Sequence, residues 1–253
     1  MKKTLFIVLT LVLTLVVCTP AVFATVDEDH ADKYGPDSGM IKYKNRENTG
    51  IYKHKALIMM QAKELGIKTE GKDLRTIAEE VSETKVKKVA NELGIDTKDK
   101  TIQEIANEIH HAKVMEKANE LGIKTKGKDP KALAKEVYET MLKQQADELG
   151  IQAEGKEFKQ LRKEVFDRKI KNEADALGIE TKGKNTHELM KEIHKKKTFQ
   201  SAERLGIDTK NKNTKQLFDE IITNHYQRAK ELKLFPFDDR RNKMHLGYHG
   251  SNW

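Results

Sequence analysis

The sequence predicts an all-α fold built of tandem 28-residue helix–loop–helix repeats that share continuous helices, in an extended or superhelical array. Three observations predict it. Leu65, Leu93, Leu121, Leu149, Leu177 and Leu205 recur at one fixed step, each followed by a glycine and an isoleucine. A period in the tens of residues is the mark of a repeat architecture. The composition agrees: 35% charged, 6% aromatic and 37% hydrophobic residues suit exposed amphipathic helices better than one large core. The third observation is a change of apolar face halfway along each helix.

Residues 1–24 read as a secretory signal peptide. Lys2 and Lys3 form a positive start, Leu5 to Val17 an apolar run too short to span a bilayer comfortably, and Val22-Phe23-Ala24 a small-residue cleavage site. The one cysteine, Cys18, falls inside this segment, so the exported chain has no disulfide. The expected location is secreted, extracellular or cell-wall associated, with membrane contact only through the signal peptide before cleavage. Residues 25–52 are polar and lack an apolar period. They read as a flexible leader that buries too little apolar surface to offset its ordering entropy.

Residues 53–226 are read as the six-repeat array. Asp73, Thr101, Asp129, Glu157, Asn185 and Asn213 occupy the N-cap column, and all but Glu157 are favoured capping types. Glu104, Gln160, Glu188 and Gln216 stand three residues on, which predicts four capping boxes. Pro130 sits at a first helical position, where its missing N–H costs nothing. Each helix then runs about 20 residues, roughly 30 Å. Gly66, Gly94, Gly122, Gly150, Gly178 and Gly206 end the helices in the left-handed conformation. The isoleucine after each glycine packs back toward Ala62, Ala90, Ala118, Ala146, Ala174 or Ala202. A second left-handed residue is expected at Gly71, Asp99, Gly127, Gly155, Gly183 and Asn211, types that tolerate positive φ.

The apolar faces set the packing. In Lys131–Leu149 the first half carries Leu133 and Val137, the second Leu142, Ala146 and Leu149. At about 100° per residue these two sets lie on opposite sides. One partner cannot bury both. The front half therefore packs on the preceding helix and the back half on the following one. Residues 227–253 read as a capping helix and a loose tail. Ala229–Leu234 repeats a helix end without its glycine, and Pro236 stops it.

The unit, with Leu121-Gly122-Ile123-Lys124-Thr125-Lys126-Gly127-Lys128 leading to Leu133-Ala134-Lys135-Glu136-Val137, resembles the SAP and helix-extension-helix family. It is also similar to the small N-terminal module of the transcription terminator Rho. The resemblance covers each copy, roughly residues 56–226. It departs at one point: Gly127 and Leu133 are six apart, where the family usually has five. The resemblance implies a two-helix fold and brings DNA binding into consideration.

One polar loop column is a lysine in every copy: Lys72, Lys100, Lys128, Lys156, Lys184 and Lys212. A lysine beside a helix N-terminus opposes the helix dipole, so local helix stability does not require it. With free backbone N–H groups it forms a candidate phosphate site, and six copies would grip a polyanion by multivalency. Extracellular DNA or an anionic wall polymer is the ligand this reading names. The competing reading pairs each lysine with Glu80, Glu108, Glu136, Glu164, Glu192 or Glu220, and leaves a structural or protein-interaction scaffold. The net charge of +8 suits either. Tyr138, Phe158, Phe166, Phe199, Phe218 and Tyr226 read as core fillers rather than stacking platforms. The histidines show no repeating metal-ligand spacing, and no paired nucleophile and base or Walker-type loop is present. The sequence reading therefore expects no enzyme, no cofactor and no metal.

Overall fold

The computed structural model describes residues 55–238. The segments read as signal peptide and polar leader, and the tail beyond residue 238, lie outside the described residues. Eight helices and no strand occur among the described ones: α1 (Lys55–Glu64), α2 (Leu74–Glu92), α3 (Ile102–Glu120), α4 (Pro130–Glu148), α5 (Phe158–Ala176), α6 (Thr186–Arg204), α7 (Thr214–Asn224) and α8 (Tyr226–Glu231). The five helices α2 to α6 have 19 residues each. α7 has 11 and is followed after one residue by α8, so the two together span a repeat helix.

The starts of α2 to α7 each follow the predicted N-cap residue. Asp73, Asp129, Asn185 and Asn213 accept a backbone N–H with a side-chain oxygen, and Thr101 does so with its hydroxyl. Three of the four expected capping boxes form, at Thr101–Glu104, Asn185–Glu188 and Asn213–Gln216. The fourth does not. Glu157 makes no side-chain cap bond, and Gln160 turns to Glu164 at 3.2 Å instead. Glutamate is one methylene longer than the favoured cap residues, so its carboxylate reaches the first-turn N–H groups poorly.

The helix stops repeat with little variation. In the fourth copy the Ile151 N–H bonds the Ala146 carbonyl at 2.8 Å and the Gly150 N–H bonds Asp147 at 3.0 Å. This is the two-bond stop that a left-handed glycine permits, with φ of 65° at Gly150. The alanine receiving the isoleucine is fully buried in all six copies. A larger side chain there would hold the loop off the helix. The second left-handed position is also present, in Asp99 and Asn211 as well as in the four glycines of that column. A seventh, glycine-less stop uses Lys233 at φ 49°, with the Leu234 N–H on the Ala229 carbonyl at 2.8 Å.

The shared-helix arrangement follows from the core. Leu133 and Val137 at the front of α4 pack with Val114 and Ala118 of α3. Leu142 and Ala146 at its back pack with Leu161 and Val165 of α5. The same division gives separate small cores at α1–α2, α5–α6 and α6–α7. Each helix packs chiefly on the one before and the one after.

Within the expected array one contact stands out, because it joins the two ends. α1 packs on α7, so the series of contacts returns to its start. Glu64 at the end of α1 accepts hydrogen bonds from the Tyr226 hydroxyl and from Lys230 Nζ, the latter at 3.1 Å. Apolar faces determine which helices touch but not the angle between successive units. Here that angle brings α1 and α7 into contact. α7 meets α6, α8 and α1, and Ile222 is fully buried where its column mates Ser82, His110, Tyr138, Phe166 and His194 are half-buried or exposed.

Gly150→Ala is expected to cost about 1–2 kcal/mol, from backbone conformation alone, because L-residues resist positive φ. An added Cβ would meet nothing within 4 Å. Urea unfolding checks the loss, and amide exchange should show the Ile151 N–H opening first.

Candidate functional site

The six loop lysines come from one local design. The Lys128 N–H bonds the Thr125 carbonyl at 3.3 Å across a tight turn whose third residue is the left-handed Gly127. Positive φ at that position is what such a turn requires. The turn sends the lysine side chain forward over the next helix, beside the N-cap Asp129.

There it meets the repeat glutamate. Lys72 bonds Glu80 at 2.6 Å, Lys100 bonds Glu108 at 2.7 Å, Lys184 bonds Glu192 at 2.7 Å and Lys212 bonds Glu220 at 2.6 Å. Lys128 pairs with Glu136 and Lys156 with Glu164 in the same manner. All twelve side chains are partly exposed, so each pair is worth about 0–1 kcal/mol. Their repeated effect is geometric: each ties a loop to the second turn of the helix that follows.

The other half of the presumed phosphate site is partly occupied. The N-cap side chain takes one first-turn N–H in each of α2, α3, α6 and α7 and two in α4. Of the helices that follow a loop lysine, α5 alone has no side-chain cap bond, and its N-cap is itself an acid, Glu157. The exposed loop positions offer no uniform charge either. Glu70, Lys98, Lys126, Glu154, Lys182 and Lys210 share one column; Lys68, Asp96, Lys124, Gln152, Glu180 and Asp208 share the other. Six lysines face five acids there, so no continuous basic stripe forms.

Hydrogen bonding from Lys156 holds the Glu164 carboxyl below the usual range, with a smaller contribution from Gln160. Glu104 is lowered likewise, first by the Thr101 backbone N–H of its capping box.

Two features were not foreseen. One is a buried ion cluster: Lys197 of α6 meets Glu173 of α5 and, at 2.8 Å, Asp238 of the C-terminal segment. Its side chains are 9%, 8% and 17% exposed. The other is the column of His110, Tyr138, Phe166 and His194. His110 Nε2 and the Tyr138 hydroxyl share a 2.8 Å hydrogen bond between α3 and α4, and burial keeps the His110 pKa below its ordinary value. Phe166 is 37% exposed, so it is not the core filler its spacing suggests. The column could have been found by aligning the repeats, whereas nothing in the sequence places Asp238 against Lys197.

No family model, curated protein or solved structure matches the chain. Among the described residues no helix is long and apolar enough to cross a membrane, and no group of side chains is arranged to hold a metal ion.

Replacing Lys156 by glutamine should raise the Glu164 midpoint toward the ordinary carboxylate value in a carbon-detected NMR titration. The sign follows from linkage: a carboxyl lowered in the folded state stabilises above its unfolded pKa, and that stabilisation is lost as pH falls through the folded value. An unmoved midpoint would show that Lys156 does not hold the carboxylate in solution.

Proposed function

We propose that the protein is an exported, non-enzymatic interaction scaffold whose closed repeat array fixes the spacing of protein-binding surfaces. The observation that carries this reading is the pairing of all six loop lysines with the repeat glutamates. Of the two readings open to the sequence, that geometry favours the scaffold over the polyanion binder. A phosphate at a loop would have to displace a glutamate from the lysine and a side-chain cap from the helix N-terminus, and would gain little net attraction from a mixed-charge rim. Export rests on the Lys2–Lys3 start, the Leu5–Val17 run and the Val22–Ala24 site. Catalysis has no support in a pairing of nucleophile and base.

The experiment is a comparison of the parent with a variant carrying glutamine at Lys72, Lys100, Lys128, Lys156, Lys184 and Lys212. Retention on genomic DNA and on teichoic acid is measured across salt. The scaffold reading expects weak retention with the same salt dependence for both proteins. A polyanion site would instead give the parent a steep dependence, about 0.9 in log–log slope per phosphate neutralised, and the variant would lose it.

A further inference from the structure

The chain's C-terminal segment already acts as a ligand of its own array. After the Lys233 stop, Leu234–Asp238 runs back over α6 and α7. Phe235 meets His194 edge-on at 5.0 Å between ring centroids and Phe218 at 6.1 Å. Three residues later Asp238 reaches buried Lys197. Phe237 stands edge-on to Tyr226 at 4.9 Å, and Leu234 is buried with Leu217 and Ile221. The binding elements are therefore a ring on one helix, a lysine three residues further along it, and an apolar side chain on the next helix.

The repeat supplies the same elements one copy back. Twenty-eight residues before His194, Lys197 and Phe218 stand Phe166 and Lys169 of α5 and Met190 of α6. Phe166 is one of two large apolar side chains that are exposed among the described residues. Glu173, the acid beside Lys197, is replaced by Gln145, which accepts a hydrogen bond from Lys169. That exchange puts a neutral amide where the occupied copy has a carboxylate, while Glu148 acts on Lys169 from a position where the occupied copy has Ala176. Partial burial of Lys169 lowers its pKa, and a cation partly removed from water gains from an added anionic neighbour. One element is missing: Thr198 stands in register with Tyr226, so the second ring of a ligand finds no aromatic partner.

We propose that the α5–α6 surface at Phe166, Lys169 and Met190 recognises an extended segment of a partner protein in which an aromatic residue precedes an acid by three positions. The chemistry is the one the chain displays in cis one repeat later. This deepens the interaction-scaffold reading by giving the class of partner, and it rests on that reading. Its failure would leave the lysine–glutamine comparison on DNA untouched, so the two are distinguishable.

The test is fluorescence anisotropy of a labelled peptide copying residues 233–239, Lys-Leu-Phe-Pro-Phe-Asp-Asp, titrated with the full chain. Saturable binding is expected. It should weaken at least about tenfold in a Phe166→Ser, Lys169→Gln variant and stay unchanged in Lys197→Gln. A charge exchange keeps the test informative if the double variant folds poorly: Lys169→Glu should bind a peptide with lysine at the Asp238 position better than the original peptide. Absence of saturable binding below about 1 mM, equal affinity for the double variant, or loss through Lys197→Gln alone would overturn the proposal.

Discussion

The structure depends on one constraint: every repeat helix carries two apolar half-faces on opposite sides, and no single neighbour can cover both. In α4 the two halves meet different helices, Leu133 and Val137 against α3, Leu142 and Ala146 against α5. A unit is thus never complete within one 28-residue period. Each small core borrows its second wall from the next helix, which makes neighbouring units interdependent rather than merely adjacent. The helix stops make this possible. Because the alanine at each stop has almost no side chain, the loop lies directly on the helix end and the next helix starts close by.

The ends of the array follow from the same constraint. A first and a last unit would each leave a half-face bare in an open chain. Instead α1, the first described helix, and α7 pack on each other. α8 and the C-terminal segment then complete the last core with Ala229 and Leu234, using a Lys233 stop in place of glycine. A left-handed lysine costs more than a left-handed glycine. Its presence suits a terminal copy that is not repeated further.

Much of this was legible in the sequence because the repeats can be compared with one another. The N-cap column, the paired left-handed positions, the buried alanines and the alternating half-faces each follow from residue types at a fixed step. The Glu157 box failed at the one N-cap position whose residue type is unfavoured, its side chain being a methylene too long. Closure was not legible, since residue types at a fixed step do not set the angle between successive units. Its local trace is Ile222, an apolar residue in a column otherwise polar or aromatic. For the candidate site the sequence held both outcomes, lysine facing phosphate or lysine facing glutamate. The Nζ–carboxylate distances favour the second, and those depend on how the turn aims the side chain. The Lys197 cluster needs a partner from outside the repeat, so no periodicity announced it.

Closure and shared helices can be tested together by one distance. The one cysteine in the sequence is Cys18, outside residues 55–238, so in a Cys18→Ser background spin labels can be placed singly at Lys63→Cys on α1 and Gln227→Cys on α8, beside the Glu64–Tyr226 contact. Double electron–electron resonance should then give one narrow distribution below about 30 Å, a contact distance plus the reach of the labels. An array that ran open would separate the two sites by six interhelical spacings of 8–10 Å each, about 50–60 Å. A distribution centred there would contradict the closed arrangement.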